Sequence, residues 1–408
     1  MKNCRFCSNN ELIPFLDLGS APHSNAYLSQ AQLTHTEKVY PLNLQVCKKC
    51  WLVQTTSKIE AQDLFTADYA YFSSTSSSWL QHAKEYVEMI SSRLQLTPKS
   101  FVLEIASNDG YLLQYFVSKN IPCLGIEPTE CTAKSARERG VPTKEVFFGC
   151  EVARQLIEEG KQADLILGNN VLAHVPDIND FVHALAICLK KGGTVTLEFP
   201  HLLNLLQDVQ FDTVYHEHYS YFSLYTVQQI LKAHSLRIID VQKLPTHGGS
   251  LRVFAVHSED GRKSERSVQE LINFEKERGL QTEMLYKQFQ EKCDCIKTDL
   301  LQFLEEQRKC RKKVGAYGAA AKGNTILNYA QVGPDLLPYV CDAAPSKQGK
   351  YLPGSHIPIL TPQKIKEDKP DFLVILPWNL SKEVISSHAY IRDWGGKFVT
   401  FIPRRSIV

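Results

Sequence analysis

Between Asp212 and Ser223 the chain runs Asp-Thr-Val-Tyr-His-Glu-His-Tyr-Ser-Tyr-Phe-Ser, its densest gathering of titratable and aromatic side chains. His216 and His218 stand two apart. On a helix they would diverge by about 200°, and on a strand they would share a face. A zinc protease needs its histidines four apart on one helix face, so that chemistry does not fit. A catalytic metal would want a third ligand that the neighbouring sequence does not offer. Acid–base work fits better, because imidazole titrates closest to neutrality. The neighbouring Glu217 could orient such an imidazole, and a Tyr hydroxyl of the segment could hydrogen-bond a developing enolate oxygen. The proton removed would then come from a carbon beside a carbonyl. The competing expectation is a buried polar cluster that joins two domains.

Cys4-Arg-Phe-Cys7 and Cys47-Lys-Lys-Cys50 form two Cys-x-x-Cys knuckles with 39 residues between them. Each can turn two thiolates towards one tetrahedral ion, and four sulfur ligands leave no open position for water. This predicts a structural Zn2+ that supplies folding energy to a small N-terminal module. An iron–sulfur cluster is the minor competitor, and a redox pair of knuckles the bland one.

A third group follows the apolar run Phe101–Ile105. Glu104 lies on that predicted strand, then Ala106-Ser-Asn108-Asp-Gly110 makes a tight turn into a helix near Tyr111. Strand, turn and helix N-terminus build the crevice where an open α/β sheet binds adenosine cofactors. The turn lacks Gly-x-Gly-x-x-Gly, which disfavours a dinucleotide pyrophosphate there. Glu127 ends the next predicted strand, 23 residues after Glu104, where a carboxylate can take both ribose hydroxyls. An acidic, glycine-poor crevice suits S-adenosylmethionine, a cationic sulfonium with no phosphate. Asn169 and Asn170 follow the third strand and would orient the amino-acid part of that cofactor. His174 is expected to be structural, and Asp177 to cap a helix. Strand-end carboxylates without a ligand are the alternative for Glu104 and Glu127.

Near the other end, Gly318-Ala-Ala-Ala-Lys-Gly-Asn324 follows the strand Lys313–Tyr317. Small residues let a helix N-terminus approach a diphosphate, with Lys322 adding a point charge. Tight helix–strand packing would produce the same residues. Lys347 and Gln348 lie in a polar turn after Asp342, where contact with a nucleotide and plain solvation are equally open.

These groups need a scaffold. From Ser100 short β-rich runs alternate with helical segments, the rhythm of a mostly parallel sheet covered on both faces. From Ser264, Leu285, Phe289, Ile296, Leu300 and Leu304 recur at helical spacing, which predicts a long amphipathic helix or helix pair before a second α/β unit. The expected division is a zinc-binding module at 1–68, a cofactor domain at 69–260, and a helical linker with a Rossmann-like domain at 261–408. The Ser-rich stretch Tyr69–Ser78 is bracketed by aromatics, so it is expected to be an ordered loop leading into a helix near Trp79–Leu94.

The 408 residues carry 46 Lys plus Arg against 44 Asp plus Glu, a formal net charge of +2. No global field grips nucleic acid or an anionic membrane. Neither an export signal nor a run of about 18 apolar residues is found. A soluble cytoplasmic protein with free thiols, monomeric or weakly homo-oligomeric, is the expectation.

Taken in order, the four cysteines, Tyr71 with the serines after it, Glu104-Ile-Ala-Ser-Asn-Asp-Gly110, Tyr215-His-Glu-His218, His247-Gly-Gly-Ser250-Leu-Arg252 and Gly318–Asn324 resemble the NDP-sugar C-methyltransferases of deoxysugar biosynthesis. The resemblance spans nearly the whole chain. It implies a zinc module, a class I methyltransferase domain binding S-adenosylmethionine, and a C-terminal domain that helps hold a nucleoside-diphosphate 4-keto-6-deoxy sugar. It implies His218 as general base, with Glu217 and Tyr215 beside it and Tyr71 reaching in from the loop. His216, His247, Ser250 and Arg252 are expected at the sugar nucleotide, together with Lys322, Asn324 and Lys347. Two other functions compete: an NAD-dependent nucleotide-sugar oxidoreductase using the C-terminal unit, and a zinc-stapled scaffold that binds without catalysis.

Overall fold

A computed structural model describes residues 3–56, 59 and 72–408. Tyr71 lies outside the described residues.

The N-terminal strands are β1 (Leu12–Ala21), β2 (Tyr40–Cys47) and β3 (Val53–Thr55), paired antiparallel in that order. In β2, Leu42, Leu44 and Val46 turn inward while Asn43 and Gln45 alternate with them, the period of a half-buried strand.

The middle of the chain contributes β4 (Val102–Ile105), β5 (Cys123–Ile126), β6 (Thr143–Lys144), β7 (Ala163–Asn169), β8 (Leu189–Pro200), β9 (Ser220–Tyr221), β10 (Leu236–Leu244) and β11 (Ser250–His257). Seven of these form a sheet in the order β10-β11-β8-β7-β4-β5-β6. Only β11 runs against the others. Every residue of β4 is buried, as expected for a parallel strand covered on both faces. Strand β9 leaves this sheet and joins the N-terminal one, pairing Val53 with Tyr221 and Gln54 with Ser220. The sequence rhythm anticipated the parallel strands. It did not anticipate the antiparallel β10–β11 edge or the crossing of β9.

The helix expected near Trp79 spans Ser77–Arg93; the Ser76 side chain accepts from the Trp79 N–H, and Trp79, Ala83, Tyr86, Val87 and Ile90 are buried at helical spacing. Asp177 caps the helix Ile178–Cys188, accepting from the N–H groups of Asn179 and Asp180. The amphipathic stretch after Ser264 is three helices, Arg266–Glu277, Glu283–Lys287 and Phe289–Lys309. The first ends where Gly279 takes φ +84°, a left-handed terminator that the spacing of apolar residues does not register.

The C-terminal sheet adds β12 (Val314–Tyr317), β13 (Val340–Cys341), β14 (Ile359–Leu360), β15 (Phe372–Ile375), β16 (Lys397–Thr400) and β17 (Ser406–Ile407), ordered β14-β13-β12-β15-β16-β17. All pair parallel except β16 with β17. One apolar cluster joins Phe15 and Leu44 of the N-terminal sheet to Phe211, Leu300, Val314 and Val399. A second joins Cys4, Cys47 and Cys50 to Leu197 and Phe199 of the middle sheet. The N-terminal module is therefore wedged between the other two units. Among the described residues, no helix is long and apolar enough to cross a membrane.

Candidate active site and metal centre

Cys4, Cys7, Cys47 and Cys50 come together, with Sγ separations of 3.5 Å for Cys4–Cys50, 3.5 Å for Cys7–Cys47 and 3.6 Å for Cys7–Cys50. All four sulfurs lie within 4.8 Å of one another. Tetrahedral zinc at about 2.3 Å from each sulfur sets sulfurs about 3.8 Å apart, so the residues fit that ion. Asn9 Nδ2 reaches Cys47 Sγ at 3.7 Å, an outer-shell donor to a thiolate. The corner is tied to the middle unit by Thr226 Oγ1 donating to the Cys50 carbonyl at 3.2 Å and Asn179 Nδ2 to the Phe6 carbonyl at 3.0 Å.

The seven-stranded sheet reverses its order between β4 and β7, and ligands of open α/β sheets sit at such a point. There the backbone takes left-handed values at Ala106 (φ 57°), Asn108 (φ 49°), Gly110 (φ 76°) and Asn170 (φ 55°). Such conformations gather where a ligand is clamped. Glu127 receives the N–H of Asn108 at 2.9 Å and of Thr129 at 3.0 Å. Glu104 is fully enclosed, and burial, then the charges of Glu127 and Asp109, hold its carboxyl well above the usual range. Glu104 Oε2, Ser107 Oγ, Asp109 Oδ1, Asn169 Nδ2 and Asn170 Oδ1 are buried without a hydrogen-bond partner among the described residues. Unpartnered acceptors, with one amide donor among them, beside three carboxyl groups suit a hydroxyl-bearing cation. The described part of the serine loop docks here: the Ser73 N–H donates to Asn108 Oδ1 at 2.8 Å, Ser74 Oγ donates to Asp109, and Arg139 pairs with Asp109 at 3.1 Å.

His218 packs beside His174, in the turn that follows β7 of this sheet. Its Nδ1 is 3.0 Å from the Thr213 carbonyl, an acceptor only, so Nδ1 carries the proton and Nε2 keeps its lone pair. Burial, then the neighbouring His174, pulls its pKa well below the ordinary value. The Tyr215 ring packs at 4.1 Å, that of His174 at 4.7 Å and that of Tyr221 at 5.8 Å. Glu217 does not orient this imidazole; its Oε1 accepts from Asn25 Nδ2 at 3.0 Å. His216 points the other way, with Nε2 3.1 Å from the Tyr40 carbonyl and its ring stacked at 5.5 Å on His23.

The third sheet reverses between β12 and β15, and the charge of Lys322, beside that reversal, is felt at His218. Gly318 has φ +95°, and a Cβ there would stand 2.3 Å from Pro377 Cδ. The helix Ala321–Tyr329 begins without a side-chain cap, and Lys322 lies in its first turn. Lys322 Nζ donates to Asn379 Oδ1 at 2.9 Å and sits 4.6 Å from the Trp378 ring centre. Trp378 Nε1 donates to Asp212 Oδ2 at 2.7 Å, linking the two α/β units. Burial pushes Asp212 up to about 6 against the pull of the Lys322 charge, and its Oδ1 has no partner among the described residues. Trp378→Phe should cost about 1 to 3 kcal/mol by stranding that carboxylate, read as a lower denaturant midpoint.

His247 (φ 53°) has its Nε2 3.0 Å from Asn170 Nδ2 and its ring 5.0 Å from Trp79. Comparison with known proteins fits this three-part layout. Family models match at residues 4–65 (zinc binding domain), 79–241 (methyltransferase domain) and 245–403 (C-methyltransferase C-terminal domain). C-methyltransferase NovU from Streptomyces niveus is 31% identical over 405 residues, 99% of this chain and 96% of that protein. The chain belongs to the S-adenosylmethionine-dependent C-methyltransferases.

Among solved structures, a methyltransferase from Clostridium acetobutylicum ATCC 824 aligns at TM-score 0.35 and 12% identity over 46% of this chain and 92% of its own. Magnesium protoporphyrin IX methyltransferase (ChlM) from Synechocystis PCC 6803 aligns at TM-score 0.37 and 14% identity over 50% and 100%.

In this C-methyltransferase the remaining expected residues divide by location. Arg252 is buried in an ion pair with Glu198 at 2.7 Å, and Ser250 Oγ donates to the Thr246 carbonyl at 3.0 Å. Both brace the loop that carries His247. Asn324 Nδ2 donates to the Ser24 carbonyl, and Lys347 Nζ to the Ala319 carbonyl at 2.8 Å, at the seam between N- and C-terminal units. Sequence reasoning gave no role to Asp212 or Trp378 and held His174 to be structural. The signal for Trp378 was its place just past the end of a parallel strand beside a reversal in strand order. Asp212 stood in the dense segment itself.

Proposed function

We propose that this enzyme methylates the carbon, C3 or C5, beside the ketone of a nucleoside-diphosphate 4-keto-6-deoxy sugar, with His218 as general base and an enolate as intermediate. The observation that carries the reading is the imidazole of His218: its tautomer is fixed by the Thr213 carbonyl, with Nε2 left as acceptor and His174, His247 and Lys322 near enough to act on it. An uncharged base is what C–H abstraction requires, and burial keeps His218 uncharged at neutral pH. The ketone makes the neighbouring C–H acidic; the carbanion pair then forms the new carbon–carbon bond as the sulfur–methyl bond breaks.

S-adenosylmethionine supplies the electrophilic methyl. Glu127 would hold the ribose hydroxyls, Glu104 the adenine edge, Asn169 and Asn170 the amino-acid part, and the 106–110 turn the wall against them. Lys322 and the helix N-terminus behind it would receive the diphosphate, with His247 between sugar and cofactor. The division at 1–68, 69–260 and 261–408 then assigns metal, methyl donor and sugar nucleotide to successive parts. The oxidoreductase reading finds less support: the family model matching the C-terminal unit, residues 245–403, is a C-methyltransferase C-terminal domain.

Labelled S-adenosylmethionine incubated with a panel of nucleotide keto sugars should give a product heavier by one methyl, and NMR locates it. No transfer to any ketone-bearing sugar would sink the proposal. Glu127→Gln should weaken cofactor binding by about 1 to 3 kcal/mol in calorimetry, since a charged acceptor is lost.

A further inference from the structure

A small cavity of about 20 Å³ is lined by His218, Thr213, Ser220, Tyr221 and His201. That is room for one water, which needs two to four polar partners. Ser220 Oγ, at the cavity, has no hydrogen-bond partner among the described residues. The far wall is His201, directly after β8, and it is 4% exposed. Its Nε2 is 2.7 Å from Glu275 Oε1, and Glu275 is wholly buried. Neither residue has a part in the proposed abstraction. Glu275 also accepts the N–H groups of Leu224 at 2.6 Å and Tyr225 at 3.0 Å, which capping the helix Leu224–Ala233 explains. Capping does not require a histidine, nor does it place that histidine on the base's cavity.

We infer that His201, held by Glu275, is the second station of a proton relay: it receives, through a water in this cavity, the proton that His218 takes from substrate. The inference rests on the base role proposed for His218. In the first step the substrate C–H bond breaks, its electron pair stays as the enolate, and an N–H bond forms at His218. The water then gives a proton to His201 Nδ1 and takes the one just received at His218 Nε2, while His218 Nδ1 keeps its proton on the Thr213 carbonyl. His218 returns to neutral, and the imidazolium stands against the Glu275 carboxylate. The reason to move the charge is local: burial, the His174 and His247 rings and the Lys322 charge all disfavour a cation at His218. A sulfonium nearby disfavours it further.

The test uses the whole enzyme with a keto sugar deuterated at the reacting carbon and S-adenosylhomocysteine in place of the methyl donor, following loss of label to water. His201→Gln keeps an N–H for Glu275 and removes the titrating nitrogen. Ser220→Val fills the cavity and leaves the His201–Glu275 pair alone, so it carries the test if the first variant folds poorly. Both should slow wash-out by about tenfold or more, with sugar KM and S-adenosylmethionine affinity within about twofold of wild type. Wild-type wash-out in a folded variant overturns the relay, as does a loss matched by an equal loss of cofactor affinity, which marks a structural role. If the wild-type enzyme itself releases no label from any keto sugar, the function proposed above has failed, and the relay with it.

Discussion

His218→Gln is expected to lower turnover by about 10²- to 10⁴-fold, the usual worth of a positioned general base. Glutamine can still give an amide N–H to the Thr213 carbonyl, so the local fold has its hydrogen bond and only the acceptor at Nε2 is lost. S-adenosylmethionine binding should be unchanged in calorimetry, because the carboxylates and asparagines of the cofactor crevice are untouched. The pH profile supplies a second check. The active form is the neutral imidazole, and burial favours that form, pulling the pKa well below 6.5. The acid limb of kcat/KM should therefore fall below the pH at which a solvent-exposed histidine titrates. A variant that loses cofactor affinity and melting temperature in step with turnover would show His218 to be packing, as the buried-cluster alternative holds.

What the sequence disclosed follows the range of the interactions. The cysteine knuckles are local pairs, and bringing the pairs together required only one ion. Strands such as Val102–Ile105 are unbroken apolar runs and declare themselves. The contact that orients the base is to the Thr213 backbone carbonyl, and no side-chain pattern encodes a carbonyl; Glu217, the adjacent acid, was the natural but different expectation. The partner of Asp212 is Trp378, 166 positions away. Strand β9 is two residues long, too short for a β pattern, and it is made a strand by β3 of another unit. His174 has the composition of a core residue; only the tertiary path brings its ring within 4.7 Å of His218.

Removing zinc, or replacing Cys47 by Ser, should unfold the N-terminal corner and disable the chemistry while leaving most cofactor affinity in place. In zinc-finger peptides the ion contributes about 10 to 16 kcal/mol of apparent binding energy, far more than a small module gains from its own core. Here Cys4, Cys47 and Cys50 pack in one cluster with Leu52, Phe222 and Leu224, so the ion secures a wall of the middle unit as well. Strand β3 starts three residues after Cys50 and holds β9 through Val53–Tyr221 and Gln54–Ser220, next to His218. Losing the corner releases that pairing and the base with it. The crevice at the ends of β4 and β7 is built from other strands, and Glu127 and Asp109 are held there by Asn108, Thr129 and Arg139 of the middle unit. Chelation should thus abolish amide-exchange protection across β2 and β3 and stop methyl transfer, with S-adenosylmethionine still binding in calorimetry. Undiminished protection of β2 and β3 in metal-free protein would show that the four thiolates are not what holds the module together.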